Sequence, residues 1–365
     1  MKSREIVFDL AKALVMLCVV HGHLLGHGIV LGAGPSLVGN LYVLAGMPLF
    51  FMISGYFAAR HIDDGIGYFL SSAITLIWPL FSFGICFAIT ETIFGIPTFD
   101  GWKEVFFPIY RISSGSWFLR TLANLFIILG FLTFLPRRWR HVSFCAIYAC
   151  MFFCGNVHGM WAGFIVNMGL YFGFGMFVLS CWPLYRNNCA SIVCGLVYLI
   201  SAACSGDITT NGLSWYHATS NWHVFCDWYK TAMFGFRLAL GMSGSIFILW
   251  ALNNLSKIKR ATTMLHFVAS FGTTTLGVYV MHEWLIVFLQ RVVNINPLPS
   301  LSSWLVACFV LIALHYATKI ILSCQALRVF FFLGKDNVHS IVAGLSSMAR
   351  HLVSRLPVSD VEKQR

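Results

Sequence analysis

IVFDLAKALVMLCVVHGHLLGHG, Ile6 to Gly28, is an apolar run long enough to cross a bilayer, yet it contains Asp9, Lys12, His21, His23 and His27. Ionisable groups inside hydrocarbon are costly, so each needs a partner, a water-filled cavity or a chemical task. Asp9 and Lys12 also suit a retained helix better than the core of a cleaved signal. At 100° per residue, the eleven steps from Lys12 to His23 return to within about 20° of one face. Asp9 and His27 fall near that stripe, whereas His21 points about 180° away from Lys12. The two groups stand about 16 Å apart along the axis, one towards each side of the membrane. That spacing would let a donor arrive from one side and an acceptor from the other. Imidazole is the side chain best suited to take a hydroxyl proton near neutral pH. A purely structural reading also exists: Asp9 and Lys12 form an i,i+3 pair, and His23 hydrogen-bonds a neighbouring helix.

The rest of the chain has the same character. Apolar residues make up 58% and charged residues only 10% of the 365 positions, where a soluble domain carries about 25% charged. Lipid is the solvent that tolerates so much apolar surface. Further runs cover Asn40 to Ala59, Tyr68 to Phe94, Trp117 to Leu135, Val142 to Cys154, Met160 to Trp182, Cys189 to Cys204, Thr231 to Leu252, Thr275 to Val293 and Leu301 to Ser323. The expected fold is therefore all-α, a polytopic bundle of about ten transmembrane helices. One membrane domain is expected over residues 1–335, with a cytoplasmic tail over 336–365. The tail segment from Val338 to Leu356 is weakly amphipathic and suits the membrane surface.

Net charge is +11. Most of it lies in short connections, so topology explains it better than nucleic-acid binding does. With the N-terminus in the cytoplasm, the inner connections hold Arg60, then Arg137, Arg138 and Arg140, then Arg186, then Lys257, Lys259 and Arg260. The outer connections hold mainly Lys103, Arg111 and Lys230. An even number of spans then places both termini in the cytoplasm, in a multi-pass protein of the inner or plasma membrane. The 12 cysteines lie mostly within apolar runs and form no CxxC pair, so no metal site is expected.

Other polar groups stand inside the runs. In MPLFFMISGYFAAR, Met47 to Arg60, Pro48 and Gly55 permit a bend and Ser54 can bond its own backbone. Trp117 suits an interfacial anchor, while Arg120 lies inside the run that follows, placed to bind an anion or pair with Glu91. Arg237, His282 and Glu283 are further intramembrane polar residues. Aromatic residues between Asp207 and Lys230 suit sugar stacking and interface anchoring equally.

Four stretches, in order along the chain, resemble acyltransferase family 3, the integral-membrane enzymes that acylate surface polysaccharides and related glycoconjugates. They are REIVFDLAKALVMLCVVHGH at Arg4 to His23, MPLFFMISGYF at Met47 to Phe57, SWFLRTL at Ser116 to Leu122, and FGTTTLGVYVMH at Phe271 to His282. The second is closest to the sugar O-acetylase branch. The resemblance implies an essential basic residue and histidine on the first helix, here Lys12 and His23. It implies acyl-CoA, most often acetyl-CoA, as cytoplasmic co-substrate, with no bound cofactor, and a sugar hydroxyl on a glycan or lipid-linked intermediate as acceptor. One departure stands out: the family's basic run before a proline is here YFLSSAITLIWP, Tyr68 to Pro79, with no Lys or Arg. Arg60 and His61 are the nearest basic residues, and Lys12 in place of arginine lacks the bidentate fork.

The expected roles follow. His23 is the general base or a transient acyl relay, Lys12 positions the donor, and Asp9 orients Lys12. Ser54, Arg60, Trp117, Arg120 and His282 bind substrate. The expected partners are acyl-CoA, the glycan acceptor and membrane lipids, in O-acetylation during polysaccharide biosynthesis. The alternatives are a secondary transporter or exporter of a glycan or small molecule, which ten spans with buried charges would also suit, and a non-catalytic scaffold or sensor.

Overall fold

The computed structural model describes residues 5–26, 37–94, 117–154, 168–204, 228–258, 262–291 and 303–333, with positions 337, 338, 341 and 344. His27, the aromatic loop before Lys230 and most of the tail lie outside them. Every regular element among the described residues is helical. The helices are α1 Ile6–Gly26, α2 Leu37–Arg60, α3 Ile66–Phe94, α4 Trp117–Leu132, α5 Arg137–Cys154, α6 Met168–Leu179, α7 Asn188–Cys204, α8 Trp228–Leu255, α9 Thr262–Gly272, α10 Thr275–Arg291, α11 Ser303–Ser323 and α12 Gln325–Phe332. Each apolar run read from the sequence falls on one of these helices. Four of them are long and apolar enough to cross a membrane: α1, α3, residues Gly235–Leu255 of α8, and α11. Five meet that test if the bent pair α9 and α10 counts as one span.

That pair is the main departure from the linear reading, which begins a span at Thr275. An earlier helix, α9, runs into α10 across a 66° bend at Thr273 and Thr274. The threonines close the bend locally: Thr273 Oγ1 donates to the Ser270 carbonyl at 2.7 Å, and Thr274 Oγ1 lies 2.7 Å from Nδ1 of His315 on α11. Side-chain hydroxyls of this kind compete with the helical ladder and supply partners where it breaks.

α1 is the centre of the bundle and packs against α2, α8, α9, α10 and α11. Val7, Phe8, Leu10, Ala11, Val15, Met16, Val20 and Leu24 are buried on all its sides, as a helix apolar all round requires. Backbone approaches are closest where glycine permits them. A Cβ on Gly272 would strike the Asp9 carbonyl, which fixes α9 across the first turns of α1. Gly55 of α2 and Gly175 of α6 make a second such crossing, beside a π-turn at Gly175–Leu179.

Hydrogen bonds gather several turns at one end of the bundle. Arg140 donates to the Ile62 and Thr133 carbonyls at 2.9 and 3.1 Å and pairs with Asp63 at 3.0 Å. Glu5 pairs with Arg60 at 3.1 Å and Arg186 at 3.6 Å. This basic end therefore collects the turns after α2, α4 and α6.

Candidate active site

The two histidines from the first and fourth matching stretches meet. His23, in the last turn of α1, and His282, on α10, have ring centroids 4.7 Å apart at 80°. His282 is wholly buried and His23 is half-buried. Nδ1 of His282 lies 2.6 Å from the Tyr279 carbonyl. A carbonyl only accepts, so Nδ1 carries the proton, and Nε2 is the lone-pair nitrogen of the neutral ring. The ring is thus locked in one tautomer by its own helix.

An aromatic wall continues from this pair. Tyr279 stands 5.4 Å from His282 and 5.1 Å from Phe118 of α4, and Phe118 meets Phe50 and Phe51 of α2 at 5.2 and 5.0 Å. Trp117 stacks on Phe51 at 6.5 Å. Arg120 is completely buried on the same helix, within electrostatic reach of Tyr279. This corner is therefore built by α1, α2, α4 and α10 together, and it holds His23, His282, Trp117 and Arg120. The side chain of Glu91, the other partner considered for Arg120, lies outside the described residues.

His21 points elsewhere, as its phase requires. Its Nε2 lies 2.9 Å from Ser303 Oγ, and its ring stacks on Trp304 at 3.8 Å and 7°. It ties α1 to α11.

Lys12 and Asp9 form their i,i+3 contact at 3.4 Å, with Asp9 buried and the Lys12 ammonium 5.6 Å over the Phe57 ring. Both lie towards the basic end, separated from His23 by three turns of α1. Ser54 Oγ donates to the Phe50 carbonyl at 2.9 Å, so its hydrogen is spent within α2. Arg60 is paired with Glu5 and lies over the Tyr56 ring at 4.3 Å, with its terminal nitrogen on the Tyr56 hydroxyl.

Two groups escaped the sequence reading. Glu5 is the hub of the basic end, accepting from Tyr56 and Tyr185 at 3.4 and 3.2 Å as well as from both arginines. Burial, reinforced by the nearby Tyr56 and Glu5, raises the Tyr185 hydroxyl above its ordinary range, so it stays a donor. His315 anchors the α9–α10 bend through Thr274. A histidine within the apolar run of α11 is the signal that marks it.

The family model described as an acyltransferase domain, acyltransferase family 3, matches residues 6–319. The chain belongs to acyltransferase family 3. It is an acyltransferase, and a membrane protein. No curated protein and no solved structure matches it. The matched region of this acyltransferase contains the His23–His282 pair, the aromatic wall, the Lys12–Asp9 pair and the α9–α10 bend.

Proposed function

We propose that this acyltransferase moves an acetyl or similar short acyl group from acyl-CoA to a sugar hydroxyl of a cell-surface glycan or lipid-linked intermediate. The observation that carries the reading is the contact between His23 and His282, two imidazoles brought together from opposite ends of the matched region. His23 takes the proton from the acceptor hydroxyl as its oxygen attacks the thioester carbonyl. The C–S bond breaks as the new C–O bond forms, and the thiolate leaves with the proton returned from His23. A positioned base of this kind contributes about 10²–10⁴-fold. His282 holds the partner imidazole in place with a fixed tautomer, and Trp117 and Arg120 line the acceptor side. Lys12, oriented by Asp9, faces the donor side.

The basic end is the cytoplasmic face in this reading, which gives ten crossings with both termini inside, in the inner or plasma membrane. The clustering of Arg60, Arg140 and Arg186 at one end supports it. The test is isotopic. Membranes containing the full-length protein are given acyl-CoA labelled in the acyl group, and glycans are analysed by mass spectrometry. Label on a glycan hydroxyl, lost in His23→Ala, is the expected result. Label appearing only on a product other than glycan would overturn the glycan acceptor.

A further inference from the structure

A second polar feature lies away from the histidine pair. A cavity of about 650 Å³ opens between α3, α10, α11 and α12, within the usual range of about 300–1,000 Å³ for small-molecule sites. Four threonines line it (Thr75, Thr273, Thr274 and Thr318), with the amides Gln325 and Asn337, Arg328 and a few apolar side chains. Among the described residues its lining has one guanidinium and no carboxylate.

The threonines have a shared bias. Thr75 Oγ1 donates to the Ser71 carbonyl at 2.8 Å, Thr318 Oγ1 to the Leu314 carbonyl at 2.8 Å, and Thr273 Oγ1 to Ser270. Thr274 Oγ1 stands between the Phe271 carbonyl at 3.1 Å and His315 at 2.7 Å. A hydroxyl has one hydrogen and two lone pairs. With the hydrogens committed inside the protein, a threonine oxygen that meets the cavity does so as an acceptor. A matching ligand brings N–H and O–H donors for the threonines, amide-like groups for Gln325 and Asn337, and an anion for Arg328.

We propose that this cavity receives the phosphopantetheine arm of the acyl donor, its phosphate at Arg328; the inference rests on the acyl-CoA reading above. The arm is long and narrow, with two amide N–H groups and a hydroxyl to donate and a phosphate at one end. A phospholipid headgroup offers the same phosphate, but its acyl chains have no donors for the threonine oxygens. The position suits a donor entering from the basic end. Gly277 in the lining precedes His282 by five residues on α10, about 8 Å along the axis. Arg60, the basic residue nearest the stretch where the family's cluster is missing, is engaged by Glu5, whereas Arg328 faces the cavity.

α12 is held as a fixed wall. Trp78 Nε1 donates to the Phe330 carbonyl at 2.8 Å, Ser82 Oγ donates to the Phe331 carbonyl at 3.1 Å, and Phe83 packs on Phe331 at 4.4 Å. The helix ends at Leu333 in the left-handed region, φ 60°, a cost offset by burying its side chain beside Leu70, Ile74 and Trp78.

Calorimetric binding of coenzyme A and of pantetheine to the purified full-length protein tests the proposal. Arg328→Gln should weaken coenzyme A about ten-fold and leave pantetheine unchanged. Thr318→Val should weaken both ligands. If that variant does not fold, Leu322→Trp, which fills the cavity from an exposed position, takes its place. His23→Ala should bind coenzyme A like the wild type while losing acyl transfer. Unchanged coenzyme A affinity in both cavity variants overturns the cavity assignment and leaves the acyl-CoA reading standing. No coenzyme A binding by the wild type overturns both. If Arg328→Gln weakens binding to anionic phospholipid vesicles but not to coenzyme A, the site is a lipid site and the proposal falls.

Discussion

The two ends of α1 use polar residues in opposite ways. At the basic end, Glu5 gathers two arginines and two tyrosine hydroxyls, one carboxylate against two guanidiniums. Its charged members are half-buried or exposed: the side chains of Glu5, Arg60 and Arg186 are 24%, 38% and 56% exposed. At the other end, His23 meets His282 within an aromatic wall, and His282 is wholly buried. The first arrangement pins three elements together with paired charges in high dielectric. The second sets one imidazole fully inside the protein against a half-buried one and aligns the buried ring through a backbone carbonyl. In the proposed mechanism the contrast separates residues that hold the helix from residues that do chemistry on it.

The largest effect is expected at the buried end. His23→Ala should lower acyl transfer to glycan by about 10²–10⁴-fold, measured with labelled acyl-CoA, with the thermal midpoint close to wild type. Full activity would erase the distinction between the two ends. His282→Asn sharpens it, because the asparagine amide can replace the Nδ1–H donor to Tyr279 while removing Nε2. The variant should fold normally and lose about 10²-fold in transfer, by the same assay.

Gly272→Ala tests whether the chemical end depends on the crossing near the other. The added Cβ meets the Asp9 backbone, so the variant should lose about 1–3 kcal/mol in thermal unfolding and lose transfer with it. Wild-type stability would show that the crossing yields without cost. Glu5→Gln should cost less, about 1–2 kcal/mol, because each exposed pair contributes only about 0.2–1 kcal/mol. That loss should shrink with added salt, while transfer per folded molecule stays unchanged. A ten-fold loss of transfer without unfolding would move Glu5 into the reaction. Tyr185→Phe removes one hydroxyl and should shift stability by about 1 kcal/mol or less in the same measurement.

Much of this was legible in the chain. The apolar runs fall on helices because hydrocarbon demands internally satisfied backbone, and that demand is written in composition. The helical phase of α1 separated His21 from His23, and the structure puts them on different neighbours, Trp304 and His282. The α9–α10 bend was not legible. The sequence reading begins the span at Thr275, and the role of Thr274 depends on His315, which reaches it from α11. The backbone bond of Ser54 was legible from its place within α2, but the partner of Arg60 was not. Ser54 bonds its own helix and Arg60 bonds Glu5, which no spacing rule ties to it.

The sequence by itself determined a helical membrane protein and the family motifs, because solvent cost and local periodicity act on neighbours along the chain. Only the tertiary structure decided that His23 meets His282, that Glu5 gathers two arginines, and that a threonine-lined cavity lies under α12. Those contacts join residues far apart in sequence, and the close approach of backbones at Gly55, Gly175 and Gly272 sets them.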